Sequence, residues 1–216
     1  MRILALSDIH GAFETMRKII EAEQSADVII LAGDLTTRGD ADDVKEVVEK
    51  AIAFHKPVLT ILGNMDPPEL ESTLQQSGTA LDSRASEIDG VGFIGISASP
   101  HSPLHTPNEV GDEELGLRAE RGWSHLGNPR WRIMVAHTPP HRTSVDRLRQ
   151  GSHVGSPSLR RFIEDRQPDV VICGHIHEAR GLDMIGRSQI VNCGPAFEGS
   201  YAIIEIGEMM QIRLIP

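Results

Sequence analysis

Five apolar runs in this chain each lead into a side chain able to bind a metal, and no other feature limits the fold as tightly. Ile3 to Leu6 leads to Asp8 and His10, Val28 to Ala32 leads through Gly33 to Asp34, and Val58 to Leu62 leads through Gly63 to Asn64. Ile133 to Ala136 leads to His137, and Val170 to Cys173 leads through Gly174 to His175 and His177. Short apolar runs bounded by glycine read as buried strands. Residues two apart in an extended chain face the same way, so Asp8 and His10 address one point in space. Ligands of α/β sheets gather outside the carboxyl ends of the strands, so one sheet edge can collect all seven groups.

The segments between these runs carry a helical period. Phe13, Met16, Ile19 and Ile20 share one helix face, and Val44, Val47, Val48, Ala51 and Ile52 share another behind an Asp40 cap. Strand and helix alternating at this spacing predict parallel strands joined by right-handed crossovers. Asp66-Pro67-Pro68-Glu69 reads as a further helix start with Asp66 at its N-cap, and residues 87–96 read as strands. From Ala98 to Pro129 the period is lost except for a short helix near 112–121, and so long a connection is expected to be a lid. Ser156-Pro157 opens a helix with Leu159, Phe162 and Ile163 inward, and strands follow near 181–185, 189–192, 201–206 and 211–215. Their short links predict antiparallel strands closing a second sheet, and residues 1–216 are expected to form a single α/β domain.

Charge narrows the partners. Acidic residues outnumber basic ones 31 to 21, a net charge of -10, which argues against an extended nucleic-acid footprint. Aromatic residues make up 4% of the chain, too few to expect a stacking surface for a single strand. A small phosphate ester held by metal ions fits that balance, and a homo-oligomer is compatible with it. Met1-Arg2 runs straight into the first strand with no signal-like or membrane-spanning apolar stretch, so a cytoplasmic location and no membrane partner are expected. Cys173 and Cys193 sit inside apolar runs and read as buried free thiols.

The seven candidate ligands Asp8, His10, Asp34, Asn64, His137, His175 and His177 are oxygen and nitrogen donors without a thiolate. Such a set suits Mn, Fe, Zn, Ni or Co. It exceeds what one ion needs in a site left open for catalysis, so two ions sharing a carboxylate fit it better. Taken singly, an Asp or Asn after a strand is a common turn former; five such sets at five strand ends are not.

Asp8-Ile9-His10, Gly33-Asp34, Gly63-Asn64-Met65-Asp66, His137 and Gly174-His175-Ile176-His177 together resemble the five motifs of the calcineurin-like metallophosphoesterases, in order and nearly end to end. Thr106-Pro107-Asn108-Glu109 and Asn192-Cys193-Gly194-Pro195 further resemble a branch of predicted phosphoesterases related to bacterial cyclic-AMP phosphodiesterase. The resemblance implies two mixed β-sheets packed face to face and flanked by helices. It implies one divalent ion, Mn foremost, on Asp8, His10, Asp34 and His177 and a second on Asp34, Asn64, His137 and His175. It further implies a metal-activated hydroxide attacking a phosphate ester, a diester in preference to a monoester.

The chain departs from that family at Met65, where a histidine that assists the leaving group usually stands. A thioether cannot donate a proton, so the catalytic acid is unassigned. His141 is the favoured substitute and a substrate-binding candidate beside Asn64, with His101 and His105 on the long loop as others. A metal-binding scaffold of the same fold and a nuclease are the rival readings.

Overall fold

A computed structural model describes residues 1–216. The chain begins β1 (Arg2–Leu6), α1 (Phe13–Ala22), β2 (Val28–Ala32), α2 (Ala41–Ile52), β3 (Val58–Ile61) and α3 (Glu71–Ser77). It continues β4 (Ala85–Ile88), β5 (Val91–Ile96), β6 (Ser99–Pro100), β7 (Glu109–Val110), α4 (Asp112–His125), β8 (Trp131–Ala136) and α5 (Pro157–Arg166). The last strands are β9 (Val170–Cys173), β10 (Gly181–Ile185), β11 (Ser188–Asn192), β12 (Tyr201–Ile206) and β13 (Met210–Ile215).

One sheet has the order β13-β12-β1-β2-β3 and the other β10-β11-β9-β8-β5-β4. Strand alternation sorts their side chains into three cores. Ile3, Ala5, Val28 and Ile30 of the first sheet meet Phe93, Ile133, Val135 and Ile172 of the second between the two sheets. On the outer face of the first sheet, Leu4, Leu6, Ile29 and Leu31 meet Met16, Ile20, Val44 and Val48 of α1 and α2. On the outer face of the second, Ile94, Met134 and Val171 meet Leu115 and Ala119 of α4 and Leu159, Phe162 and Ile163 of α5. The expected layering of two mixed sheets between helices is present. Strands apolar on both faces are the ones a four-layer stack buries twice.

Three expectations need correction. The four C-terminal strands do not all close the second sheet: β11 runs parallel to β9, whereas β12 returns to the first sheet antiparallel to β1 with Ile3 opposite Ile204. The reason lies in β12 itself, whose Tyr201 and Ile203 enter one core and Ala202 and Ile204 another, so it belongs in a sheet interior. The long segment after Ala98 is not one lid. β6 and β7 pair within it, and α4 runs fourteen residues, packing on the second sheet and α5.

Asp66, finally, caps no helix. Its buried carboxylate accepts the backbone N–H groups of Leu35 (3.0 Å), Thr36 (2.8 Å) and Gly63 (2.9 Å) and the Thr36 hydroxyl (3.0 Å). It thereby ties the turn after β3 to the turn after β2. Burial, reinforced by the nearby Asp34 charge, pushes its pKa up to about 6.

Candidate metal centre

The carboxyl ends of β1, β2, β3, β8 and β9 meet at one edge, and their turns are stapled to one another. The N–H groups of Asp8 (3.0 Å), Ile9 (2.8 Å), His10 (2.9 Å) and Gly11 (3.0 Å) donate to the carbonyls of Gly33, Asp34, Asp34 and Leu35. The Gly174 N–H donates to the His137 carbonyl at 3.1 Å, joining the turns of the second sheet. These bonds hold Asp8 (φ 56°), His10 (φ 48°), Asp34 (φ 50°) and His175 (φ 66°) in the left-handed region. Each such residue costs on the order of 1–3 kcal/mol, a strain that native structures keep where geometry has a use. Two glycines make the close approach feasible. A Cβ on Gly63 would overlap the Asp34 carboxylate, and one on Gly174 would overlap Ser7 Oγ and Asp8 Oδ2.

The side chains converge accordingly. The donor atoms of Asp8, His10 and His177 lie within 4.8 Å of one another, as do those of Asp8, Asp34 and His137. Asp34 Oδ2 faces two imidazoles, His10 Nε2 at 3.6 Å and His137 Nε2 at 3.4 Å. His177 Nε2 stands 3.2 Å from Asp8 Oδ1, and Asn64 Oδ1 stands 2.9 Å from His137 Nε2. Donors sharing one ion at ~2.1 Å are spaced roughly 3 Å apart at octahedral edges, close to these separations. His175 sits at the rim of the cluster: its ring meets that of His137 edge-on at 5.1 Å, and its backbone N–H donates to Asp8 Oδ2 at 3.0 Å.

Outer groups fix which atom each ligand presents. His137 Nδ1 lies 3.0 Å from the Ala32 carbonyl, and His10 Nδ1 lies 2.9 Å from Thr37 Oγ1, so in both rings Nε2 is the inward nitrogen. Asn64 Nδ2 donates to Thr106 Oγ1 at 3.1 Å, which turns Oδ1 inward. Thr106 Oγ1 in turn donates to Glu109 Oε1 at 2.7 Å, and Glu109 accepts four bonds in all from Ser102 and Thr106. Those bonds outweigh its burial and lower its pKa to about 2. Phe197 packs edge-on against His10 (5.6 Å) and His177 (5.4 Å).

The charges are those of a cluster without a basic partner. Neither Asp8 nor Asp34 pairs with a lysine or arginine; their partners are imidazoles. Burial would raise Asp8, but the His177 hydrogen bond and the nearby His137 charge outweigh it and bring the pKa to about 2. Burial would lower His137, but the Asp34 carboxylate outweighs it and lifts the ring to about 9. His177 is raised by its hydrogen bond to Asp8, whereas His10 is lowered by burial, and burial with the His137 charge takes His175 down to about 4. The upward shifts of His137 and His177 mark the negative field of the buried carboxylates, a field that divalent cations held there would balance. The donor set, its spacing and its inward lone pairs fit two such ions.

A cavity of about 630 Å³ opens over Asn64, His175 and His177, walled by Pro100 of β6, by Pro103 and Leu104 from the β6–β7 loop and by Leu148 and Val154. His141 does not line it. Its Nδ1 points toward Asp146 Oδ2 (3.5 Å) and its ring packs on His153, because Asp146 gathers the whole turn after β8 around its carboxylate. Of the loop histidines His101 lines the cavity and His105 does not. Met65 contributes its N–H, which donates to Asp34 Oδ1 at 2.7 Å. Asp66 is committed to Leu35, Thr36 and Gly63 and is not free to orient an imidazole placed at 65. Thr37 and Phe197 carry no signal in the sequence, since neither stands beside an apolar run.

Comparison with known proteins places the chain. The calcineurin-like phosphoesterase family profile matches residues 1–179. The chain is 33% identical over 199 residues to the uncharacterized protein MJ1162 of Methanocaldococcus jannaschii, covering 90% of this chain and 88% of that one. In structure it is similar to TT1561 of Thermus thermophilus, with a TM-score of 0.75, 18% identity and coverage of 98% and 97%. It is also similar to the purple acid phosphatase PPD1 of yellow lupin, with a TM-score of 0.57, 11% identity and coverage of 99% and 51%; at these identities the two likenesses concern the fold. The chain belongs to the calcineurin-like phosphoesterase family, and with it to the metal-dependent hydrolases of phosphate esters. No helix is long and apolar enough to cross a membrane.

Proposed function

We propose that this chain hydrolyses a small phosphate ester, a diester in preference to a monoester, at a centre of two divalent ions. Asp8, His10, Asp34 and His177 would hold one ion and Asp34, Asn64, His137 and His175 the other. The observation that carries the reading is Asp34 Oδ2, which faces both His10 Nε2, at 3.6 Å, and His137 Nε2, at 3.4 Å. Mn is the favoured metal, with Fe, Ni, Zn and Co as alternatives. Bound there, the ions supply Lewis-acid polarisation of the phosphoryl oxygens and a water acidified enough to attack at neutral pH.

The protein's own groups do the rest. Asn64, held by Thr106, presents a fixed amide to the ester, and Pro100, Pro103, Leu104 and Val154 form an apolar wall for its organic part. No lysine or arginine lines this cavity, which suits the single charge of a diester better than the two of a monoester. His101, which is 73% exposed on the rim, is the one cavity imidazole outside the metal set and replaces His141 as the candidate proton donor to the leaving group. We further assign the chain to the cytoplasm as one domain. Two cysteines that stay free and buried, and a core shared by both sheets, support that assignment.

The test is a panel of phosphomonoesters, phosphodiesters and cyclic nucleotides assayed with Mn, Ni, Zn and Mg. Turnover should be highest on diesters with acidic leaving groups, which need little general-acid help. Two ions bound without turnover of any substrate would instead mark the chain as a scaffold of this fold.

A further inference from the structure

The turn after β8 and the segment after His177 enclose a second, shallower groove of about 660 Å³, and its walls are basic in a chain of net charge -10. Arg142, Arg147, Arg149 and Arg180 line it against two carboxylates, Glu178 and Asp183. Asp183 is engaged by the Ser144 N–H at 2.6 Å, and Glu178 by Arg149, whose N–H donates to it at 2.6 Å. Arg142, Arg147 and Arg180 take part in no ion pair. Neighbouring arginines differ: Arg160 pairs with Glu164 at 2.8 Å and Arg166 with Glu120 at 2.8 Å.

Arg180 is the sharpest anomaly. Its Nε and Nη2 are buried without any hydrogen-bond partner. Its stem is packed into space that only a glycine at 194 leaves, since a Cβ there would overlap Arg180 Cδ. Two unpaired donors leave this guanidinium with an unmet demand for acceptors, and a turn of its head into the groove it lines would meet that demand with phosphate or carboxylate oxygens, which match it two at a time. The groove adjoins the catalytic cavity through Leu148 and Glu178, which line both. Arg180 follows His177 by one turn of 3-10 helix, roughly 6 Å of rise.

We propose that Arg180, with Arg147 and Arg142, forms an anion subsite for a second phosphate group of the substrate, beside the ester being cleaved. The anion subsite stands on its own observations; its description as a substrate subsite rests on the proposed catalytic reading. A nucleotide-like molecule has the required parts. Its phosphodiester lies over the metal ligands, its organic body against Pro103 and Leu104, and its second phosphate in the groove.

The first arm of the test needs no metal. Pyrophosphate titrated calorimetrically into chelator-stripped protein should bind once per chain. Arg180→Gln should weaken it roughly tenfold or more, Arg147→Gln severalfold, and Arg180→Lys should restore part of the loss. Arg147 is exposed, so its variant keeps the fold, and thermal midpoints verify this for all. No binding by the wild type, or equal affinity in wild type, Arg180→Gln and Arg147→Gln, would overturn the subsite.

The second arm uses the metal-loaded enzyme and the p-nitrophenyl ester of thymidine 5′-phosphate with and without a 3′-phosphate. The 3′-phosphate should lower KM roughly tenfold in the wild type and far less in Arg180→Gln, with kcat little changed. Equal KM values for the two esters in the wild type would overturn the substrate assignment. Pyrophosphate binding with no hydrolysis of either ester by any metal would sink the catalytic reading and support the anion subsite alone.

Discussion

The metal ligands and the substrate rim lie side by side but are built in opposite ways. Asp8, Asp34 and His137 are buried, strained or stapled, and fixed through second partners such as Ala32 and Asp66. The rim is open: Leu104 is 77% exposed, and Val154 and the His101 ring stand out from the connections that carry them. Chemistry that depends on atoms about 3 Å apart needs a scaffold that cannot relax, whereas recognition of an organic group tolerates a mobile wall. Changes in the first region should therefore act on metal binding and kcat, and changes in the second on KM.

The largest effect should come from Gly63→Ala. The added Cβ displaces the Asp34 carboxylate from both ligand sets, so activity should fall by about a thousandfold, ~4 kcal/mol of transition-state stabilisation. Wild-type kcat in that variant would break the comparison.

Metal removal ranks next. Two ions each at a thousand times Kd would contribute about 8 kcal/mol together, so chelation should lower the unfolding midpoint markedly. Amide exchange should quicken at 8–11 and 33–35 and stay unchanged at 100–104. Equal quickening at the rim would mean that the two regions are one unit.

Glu109→Gln probes the link between them. The Glu109 carboxylate makes Thr106 a donor toward itself and thus an acceptor for Asn64 Nδ2. A neutral amide there keeps one oxygen acceptor but loses the charge and the acceptor of the Ser102 N–H, which loosens Thr106 and its hold on Asn64, and Mn affinity at one of the two sites should drop about tenfold with the other unchanged. Matching isotherms for variant and wild type would assign Glu109 to the loop alone. The smallest effect should be that of Leu104→Ala, a rise in KM of about threefold for an aryl diester at constant kcat, read from steady-state kinetics.

The two regions also differ in how far the sequence discloses them. All seven candidate ligands follow apolar runs, so strand period and strand-end logic are enough to bring them to one edge. The partner of a strand is another matter: Tyr201 to Ile206 announces itself as a strand, but nothing local says that it returns to β1. Asp66-Pro67 is a strong local cap signal, and tertiary bonds to Leu35, Thr36 and Gly63 override it. The sequence stops α4 near 121 because Gly122 looks like a loop residue, whereas Gly116 and Gly122 both lie inside the helix. In the fold they let the helix approach Ser158 and Ile94, where a Cβ would stand at 3.2 Å from each. The turn of His141 toward Asp146, and with it the loss of that residue to the cavity, depends on contacts that no spacing encodes.

The account stands or falls on Asp34 as the shared ligand. Elemental analysis at saturating Mn should give two ions per chain for the wild type, loss of both together in Asp34→Asn, and loss chiefly of one in His10→Ala. One ion or none in the wild type, or two ions retained by Asp34→Asn at wild-type affinity, would contradict it.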